Sequence, residues 1–317
     1  MPQVAFLNAL QATRGPRMLS TETIYSARMT LSCPNGRICR TEFEQVIREY
    51  AVTSTRADSA RTPLAIKRPL EIALPAPGDE LDQDKEWVVA HTPSGWRKIR
   101  LHDYGDVYSV PGLYERWVYD IFQCSSPAKI RQLLSVALSD AGTSPGSLKV
   151  MDLGAGNGCV ADELSALEIE TFVGVDIYDE AAEAAERDRP GLYSDYIIGD
   201  LTNLHDNGRA ILDRHALNCL TCVAALGFGD IPTEVFAAAF NEIADDGWVA
   251  FTIKEDFLDP TDTSGFSTLI RRMMAENMLE LTARESYVHR VSTDGEELIY
   301  EAFIGRKRAD IPASWAM

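Results

Sequence analysis

The chain has 317 residues, of which 45% are hydrophobic, so it can bury a full core and carry a second, smaller subdomain. It contains no apolar run of about 18 residues, and its first residues lack the basic start and apolar stretch of a signal peptide, so we expect a cytoplasmic protein without a membrane span. The net charge is −18, with +3 in residues 1–100 and −21 in residues 101–317. Such an acidic region repels phosphate backbones and disfavours a nucleic-acid partner.

The composition along the chain predicts an N-terminal α+β extension over residues 1–110, a main domain over residues 111–310 and a tail over residues 311–317. The extension could act as a lid over a site, as the contact of a homodimer, or as an arm that docks a substrate. The sequence leaves these three roles open.

The extension contains three recognisable segments. Residues 41–51 combine a capping-box spacing with apolar residues on one face, which predicts a short helix. Residues 52–84 hold four prolines and an acidic run, which is typical of a linker or extended arm. Residues 87–91 and 96–101 flank a Thr-Pro-Ser-Gly turn and predict a hairpin.

An aromatic segment begins directly after the predicted hairpin. Tyr104, Tyr108 and Tyr114 stand on a stretch that carries glycine and proline, and we expect them to line a ligand pocket. His102 is a candidate general base or substrate contact, although a lone histidine is more often structural. Helical spacing then extends from residue 113 to residue 138. This spacing does not decide whether Trp117 lines the pocket or packs in the core.

From residue 148 onwards the pattern alternates between strands and helices, which predicts a doubly wound α/β sheet. The predicted parallel strands are residues 149–153, 171–175, 196–198, 216–222 and 248–253, and the predicted helices are residues 160–167, 180–187, 233–243 and 267–277. Residues 280–291 and 297–304 flank a polar turn and predict a C-terminal antiparallel hairpin, which brings the sheet to seven strands.

The first predicted parallel strand runs into a glycine-rich loop with Gly154, Gly156 and Gly158. Glycines at such a turn let a ligand approach the backbone closely. In the dinucleotide fingerprint the third glycine would come one place later, where this chain has Cys159. Asp152 also stands two places before the first glycine, where a carboxylate would repel a pyrophosphate but attract the amino group of a ligand.

An acidic residue followed by G-x-G-x-G resembles the first motif of the class I S-adenosylmethionine-dependent methyltransferases, a family with a Rossmann-like fold. The resemblance continues in Val173-Gly174-Val175-Asp176 and in Ile198-Gly199-Asp200-Leu201, and it extends over about 200 of the 317 residues. The predicted terminal hairpin is also typical of the family.

The resemblance implies S-adenosylmethionine as the cofactor and no metal ion. It implies that Asp176 holds the ribose hydroxyls, that Asp200 meets the adenine amine and that Leu201 packs beside the adenine ring. The complete set of expected cofactor contacts is Asp152, Gly154, Ala155, Gly156, Asp176, Ile177, Asp200, Leu201 and Val223.

The fourth strand departs from two known patterns. Residues 217–226 lack the Asn/Asp-Pro-Pro-aromatic tetrad of nucleobase amino methylases, and they bring no cluster of metal-binding acids. Cys219 and Cys222 lie three apart in an apolar strand and therefore face opposite sides, which predicts core positions rather than a zinc site. The following loop, with Phe228, is expected to touch the substrate.

These features predict an enzyme that transfers a methyl group to a small molecule by in-line displacement, driven by proximity. The chain is similar to the free-standing bacterial methionine S-methyltransferases of dimethylsulfoniopropionate synthesis, and a thioether acceptor needs no general base. Three alternatives stay open: an O- or N-methyltransferase acting on a protein, RNA or natural product, a binding protein without turnover, and a dehydrogenase, which Cys159 disfavours.

Overall fold

The computed structural model describes residues 70–75 and 82–315. The helix predicted over residues 41–51 and most of the linker predicted over residues 52–84 lie outside the described residues. Among the residues that are described, no helix is long and apolar enough to cross a membrane.

A small antiparallel sheet precedes the main fold. It consists of β1 (Ile72–Ala73), β2 (Trp87–Thr92) and β3 (Gly95–Arg100) in that order. The β2–β3 hairpin confirms the prediction, with Gly95 adopting a φ of +106° at its turn. Since this φ is open mainly to glycine, the Thr-Pro-Ser-Gly stretch determines where the strands reverse.

Three helical elements follow: α1 (Tyr104–Ser109), a π-helical segment (Glu115–Ile121) and α2 (Ser126–Asp140). The prediction of continuous helical structure from residue 113 to residue 138 is wrong between the last two. Gln123 adopts a φ of +58°, and the backbone N–H of Ser125 donates to the carbonyl of His289. A tertiary contact with a distant strand therefore ends the helical run.

One hydrophobic cluster joins the small sheet to these helices. It contains Val88 and Ile99 from the sheet, Val107 from α1, and the fully buried Leu113 and Trp117. The predicted boundary at residue 110 thus runs through a single cluster. Burial also resolves the open question about Trp117, whose side chain packs in this core.

The main sheet has seven strands, as predicted. The strands are β4 (Lys149–Leu153), β5 (Thr171–Asp176), β6 (Asp195–Ile198), β7 (Cys219–Leu226), β8 (Trp248–Lys254), β9 (Leu279–Val291) and β10 (Glu297–Lys307). Their order is β6-β5-β4-β7-β8-β10-β9, in which β10 pairs antiparallel with both β8 and β9 and all other pairs are parallel. This is the Rossmann-like, doubly wound sheet with a terminal hairpin that the sequence predicts.

Helices cover both faces of this sheet. They are α3 (Cys159–Ser165), α4 (Asp179–Asp188), α5 (Asp206–His215), α6 (Thr233–Asn241) and α7 (Phe266–Ala275). Helix α5 was not predicted, because Ile211 and Leu212 are its only buried large apolar side chains and give little periodicity. Cys219 and Cys222 belong to the clusters on opposite faces of the sheet, and both are fully buried, as predicted.

Candidate active site

A cavity of about 290 Å³ opens at the carboxyl ends of the parallel strands, which is the edge where doubly wound sheets bind ligands. We call it the main cavity. Of the predicted cofactor contacts, five lie in its wall: Gly154, Asp176, Ile177, Asp200 and Val223. They follow or end four different strands, so the fold gathers residues that are up to 69 positions apart into one wall.

The glycine loop lies close against its neighbours. Gly154 has a φ of +69°, and a Cβ atom there would stand only 2.9 Å from Cβ of Ala225. Gly156 has a φ of +52°, and its Cβ would stand 2.2 Å from the hydroxyl oxygen of Tyr108. Ala155 and Gly154 also line a small pocket of about 20 Å³ behind this tyrosine. Both glycines are therefore required by backbone conformation and by space.

Asp176, at the end of β5, is held by two backbone donors. One carboxylate oxygen accepts from the N–H of Gly156 at 2.9 Å, and the other accepts from the N–H of Tyr178 at 3.1 Å. Burial raises the pKa of Asp176, while hydrogen bonds from Gly156, Tyr178 and Ile177 act in the opposite direction. Each oxygen keeps a further lone pair, so the carboxylate can also accept from ligand hydroxyls.

Asp200 and Leu201 follow β6 directly, but their side chains have different surroundings. Asp200 lines the main cavity and accepts hydrogen bonds from the backbone N–H and hydroxyl of Thr202, both at 2.8 Å. Leu201 is instead buried in a hydrophobic core cluster and is not among the residues that line the main cavity. The expectation that Leu201 packs beside a bound adenine ring stays a prediction.

Asp152 also lies outside the cavity wall, contrary to expectation. Its carboxylate accepts from the hydroxyl of Thr221 at 2.7 Å and from the hydroxyl of Tyr193 at 2.8 Å. Burial raises the pKa of Asp152 to about 6, and these two hydrogen bonds act against that rise. Both oxygens thus have protein partners, and the residue supports the strand behind the main cavity.

The three predicted pocket tyrosines all line the main cavity. The rings of Tyr104 and Tyr108 are stacked with centroids 6.1 Å apart, and those of Tyr108 and Tyr114 are 5.2 Å apart. Burial raises the pKa of all three well above the usual value, so their hydroxyls stay neutral. They form an aromatic wall opposite the strand ends, and aromatic faces of this kind attract a cation.

Strand β7 is irregular where it borders the cavity. Its pairing with β8 shifts register between Cys222 and Leu226, and Ala224 adopts a φ of +57°. The N–H of Ala224 donates to the hydroxyl of Thr252 at 2.8 Å, which satisfies a donor that the regular ladder would have used. Bulges commonly redirect side chains beside functional sites.

A second, smaller cavity of about 30 Å³ adjoins the first, and we call it the side cavity. It shares part of its wall with the main cavity, namely Tyr104, Tyr114, Ala224, Ala225 and Asp230. The rest of its wall is rich in polar side chains, which are Gln83, His102, His289, Arg290 and Tyr300.

His102 and Phe228, both predicted substrate contacts, meet in the side cavity. His102 Nδ1 lies 3.0 Å from a carboxylate oxygen of Asp230, and both side chains are largely shielded from solvent. The His102 ring packs on Phe228 and Tyr104 with centroids 5.3 and 5.5 Å apart. The structure thus gives His102 a carboxylate partner.

The deep end of the side cavity is held by buried polar contacts. Arg290 pairs with Glu86 at 2.5 Å, and the two side chains are 2% and 0% exposed. The other oxygen of Glu86 accepts from the backbone N–H of Thr293 at 2.6 Å. His289 Nδ1 lies 2.6 Å from the hydroxyl of Ser126. Burial and the charge of Arg290 lower the pKa of His289, so its imidazole is neutral.

Several cavity residues were missed by sequence reasoning, namely Gln83, Tyr178, Gly199, Asp230, Arg290 and Tyr300. Asp230 had a usable signal, because it lies in the loop after β7 that was expected to touch substrate. Tyr178 follows Asp176 by two residues and could have been included on position alone. Arg290 and Tyr300 carried no signal, since they lie on strands that pair far from any motif.

No group of three or more histidine, cysteine, aspartate or glutamate side chains is arranged to hold a metal ion within the described ranges, residues 70–75 and 82–315. The predicted absence of a metal stays a prediction.

No protein-family profile matches the chain, and no curated protein matches it. Among solved structures it is similar to the N-methyltransferase NodS from Bradyrhizobium japonicum in complex with S-adenosylhomocysteine, with 13% identity, a TM-score of 0.45, and coverage of 66% of this chain and 98% of that one. It is also similar to magnesium protoporphyrin IX methyltransferase from Synechocystis with bound S-adenosylmethionine, at 14% identity, a TM-score of 0.39, and coverage of 58% and 79%. Both belong to the enzyme class that the sequence motifs resemble, but at these identities they carry no residue roles over to this chain.

Proposed function

We propose that the protein is an S-adenosylmethionine-dependent methyltransferase that acts on a small molecule. The observation that carries this proposal is the main cavity, where Gly154, Asp176, Asp200 and Val223 meet at the carboxyl ends of the strands. The motifs that resemble the methyltransferase family are far apart in the chain, and the fold brings residues from them into this one cavity. This cavity volume is close to the lower end of the range for ligand pockets, roughly 300–1,000 Å³.

The residues present suit this cofactor. Asp176 has free lone pairs for the ribose hydroxyls, and Asp200 stands at the end of β6 for the adenine amine. Gly154 keeps the cavity wall clear of a side chain, and the neutral tyrosines provide aromatic faces for a sulfonium. When bound, the cofactor supplies an electrophilic methyl group on sulfur. The chain's own task is to align the acceptor and exclude water.

A small acceptor agrees with the shape and charge of the site. The side cavity, at about 30 Å³, is too small for a polymer segment, and the acidic charge of residues 101–317 disfavours a phosphate backbone. A thioether acceptor, as in methionine S-methylation, would need only proximity. The pairing of His102 with Asp230 favours instead an O- or N-methyltransferase, for which a base has a use.

Calorimetric titration with S-adenosylhomocysteine and, separately, with NAD tests the cofactor. We expect the wild type to bind S-adenosylhomocysteine alone. Asp176→Ala should weaken that binding by about 100-fold, because two hydrogen bonds from ligand hydroxyls to a carboxylate are lost. The matched control is Asp179→Ala, which removes an exposed carboxylate at the same sheet edge that does not line the cavity.

Binding of NAD without binding of S-adenosylhomocysteine would overturn the proposal in favour of a dehydrogenase. Binding of S-adenosylhomocysteine with no methyl transfer to any acceptor would leave the cofactor site standing and indicate a binding protein.

A further inference from the structure

We infer that His102 is a general base that removes the proton of a neutral hydroxyl group in the side cavity, and that Asp230 is the positioning residue that orients it. This inference rests on the proposed function, because it concerns the acceptor of the same methyl transfer. It assigns a substrate class, a small uncharged molecule whose reacting atom is a hydroxyl oxygen, and it excludes a thioether acceptor.

The first argument is the position of His102. It lies in the wall of the side cavity, and it packs on Tyr104 and Phe228, of which Tyr104 also lines the main cavity. Its Nδ1 lies 3.0 Å from a carboxylate oxygen of Asp230, and a proton on this nitrogen would leave Nε2 as the acceptor. A histidine that is oriented through one nitrogen and accepts through the other is the usual form of a general base.

The second argument is an unpaired acceptor in the same cavity. The side-chain nitrogen of Gln83 donates to the hydroxyl of Tyr300 at 2.8 Å, and this fixes the direction of the amide. The amide oxygen of Gln83 is buried and has no hydrogen-bond partner in the described part of the chain. A buried acceptor without a partner is costly, so it is satisfied when a ligand donates to it. A second hydroxyl or an N–H on the acceptor molecule would do so.

The third argument is the charge of the cavity wall. The guanidinium of Arg290 is the one positive group at the deep end, and Glu86 already pairs with it inside the protein. His289 beside it is neutral. With Asp230 included, the wall offers no net positive charge to hold an anionic acceptor. A neutral acceptor therefore suits the cavity better than a carboxylate or phosphate.

A lone pair of the acceptor oxygen forms a bond to the methyl carbon of the bound donor, and the carbon–sulfur bond breaks with its electron pair remaining on sulfur. The hydroxyl proton moves to Nε2 of His102. The positive charge thereby passes from sulfur to the imidazole, where the carboxylate of Asp230 stabilises it. The products are a methyl ether, a neutral thioether and a protonated His102, which then loses its proton to water.

The side cavity has a volume of about 30 Å³, which accommodates a hydroxyl and few other atoms. An aromatic acceptor therefore requires the side chain of Phe228 or Tyr104 to rotate.

A spectroscopic test separates the role of His102 from overall activity. The probe is 4-nitrophenol, added to the protein saturated with S-adenosylhomocysteine at a pH where the free probe is mostly neutral. We expect the wild type to shift the bound probe to its phenolate absorption band. His102→Gln should bind the probe in its neutral form, and Asp230→Asn should give an intermediate band. A wild-type complex that shows no phenolate, or no binding, overturns the inference.

Methyl transfer provides the second readout, with labelled S-adenosylmethionine and two acceptor panels. One panel holds phenol and 4-nitrophenol, and the other holds the thioethers methionine and dimethyl sulfide. We expect transfer to the phenols. His102→Gln should lower the rate by about 10²- to 10⁴-fold for phenol but far less for 4-nitrophenol, which ionises without help. Asp230→Asn should lower kcat more than it raises KM, and Asp230→Glu should restore part of the rate.

Calorimetry with S-adenosylhomocysteine on the same samples distinguishes two failures. If the wild type binds S-adenosylhomocysteine but methylates only the thioethers, or if His102→Gln slows both phenols equally, the inference on His102 is overturned and the cofactor site stands. If S-adenosylhomocysteine does not bind, the proposed function itself fails.

Discussion

The main cavity and the side cavity adjoin one another but are assembled in different ways. The main cavity is formed mostly by residues in or directly after β4, β5, β6 and β7, close to the motifs of the sequence, together with the tyrosines that precede the sheet. The side cavity is formed by side chains from distant segments, and its buried ion pair joins residues 204 positions apart. Binding in the main cavity should therefore depend on local geometry, whereas the side cavity should depend on the integrity of the whole fold.

Glu86→Gln should have the largest effect, and it tests the dependence of the side cavity on folding. The substitution removes the carboxylate that neutralises the buried charge of Arg290, which costs about 3–5 kcal/mol of the free energy of unfolding. Urea denaturation measures this loss. Glu276→Gln removes one partner of an exposed ion pair on the last turn of α7 and serves as the control, with a change within about 0.5 kcal/mol. A loss below 1 kcal/mol for Glu86→Gln would mean that the side cavity does not depend on this ion pair and on the whole fold as stated above.

Asp152→Asn examines the one buried carboxylate that lies behind the main cavity. The pKa of Asp152 is raised from 3.8 to about 6 in the folded protein, so the folded state binds more protons than the unfolded state between these values. The contribution of Asp152 to stability is therefore complete below pH 3.8 and is lost as the pH rises through 6.

The measurement for Asp152 is the free energy of unfolding of wild type and variant between pH 4 and 7. The stability of the wild type relative to Asp152→Asn should fall over this range, by on the order of 2–3 kcal/mol. Asp213→Asn, which changes an exposed carboxylate on α5, is the control and should show no such slope. A relative stability that rises with pH would contradict the assigned direction of the shift.

Gly154→Ala tests whether the main cavity depends on local geometry. Gly191→Ala is a matched control, because Gly191 has a similar φ of +72° but open space at its Cβ position, whereas Gly154 has Ala225 at 2.9 Å. Both changes should cost about 1–2 kcal/mol of stability, because alanine is strained in the left-handed backbone conformation that both glycines adopt. Only Gly154→Ala should also weaken S-adenosylhomocysteine binding, by about 10-fold or more, as measured by calorimetry. Equal affinities of the two variants would contradict the prediction.

Ser126→Ala should have the smallest effect. It tests whether a change beside the side cavity alters ligand binding in the main cavity. The hydroxyl of Ser126 lies 2.6 Å from Nδ1 of His289 and 2.5 Å from the hydroxyl of Tyr287. Its loss should cost about 1–2 kcal/mol of stability while S-adenosylhomocysteine affinity stays unchanged. Thermal unfolding and calorimetry on the same sample give both values. Ser147→Ala, at an exposed turn, is the control, and weakened binding in Ser126→Ala would show that the two cavities are coupled.

The sequence alone determined the seven strand segments, the doubly wound fold class, the terminal hairpin and five of the nine residues expected to line the main cavity. It could do so because these features depend on periodicity and on residues close in the chain. The opposite burial of Cys219 and Cys222 follows from the alternation of side chains along a strand. Likewise, Asp176 ends β5 at the edge that every parallel strand of a doubly wound sheet presents to a ligand.

Tertiary structure decided the rest. Asp152 lies outside the wall of the main cavity, where the hydroxyls of Thr221 and Tyr193 bind its carboxylate, and Leu201 is buried in a core cluster with residues from distant strands and helices. The helical run is interrupted after residue 121, where the backbone N–H of Ser125 donates to the carbonyl of His289 in the distant β9. Asp230 becomes the partner of His102 only when the loop after β7 meets the segment before α1. In each case the deciding contact joins residues far apart in the chain, and no local pattern encodes such a contact.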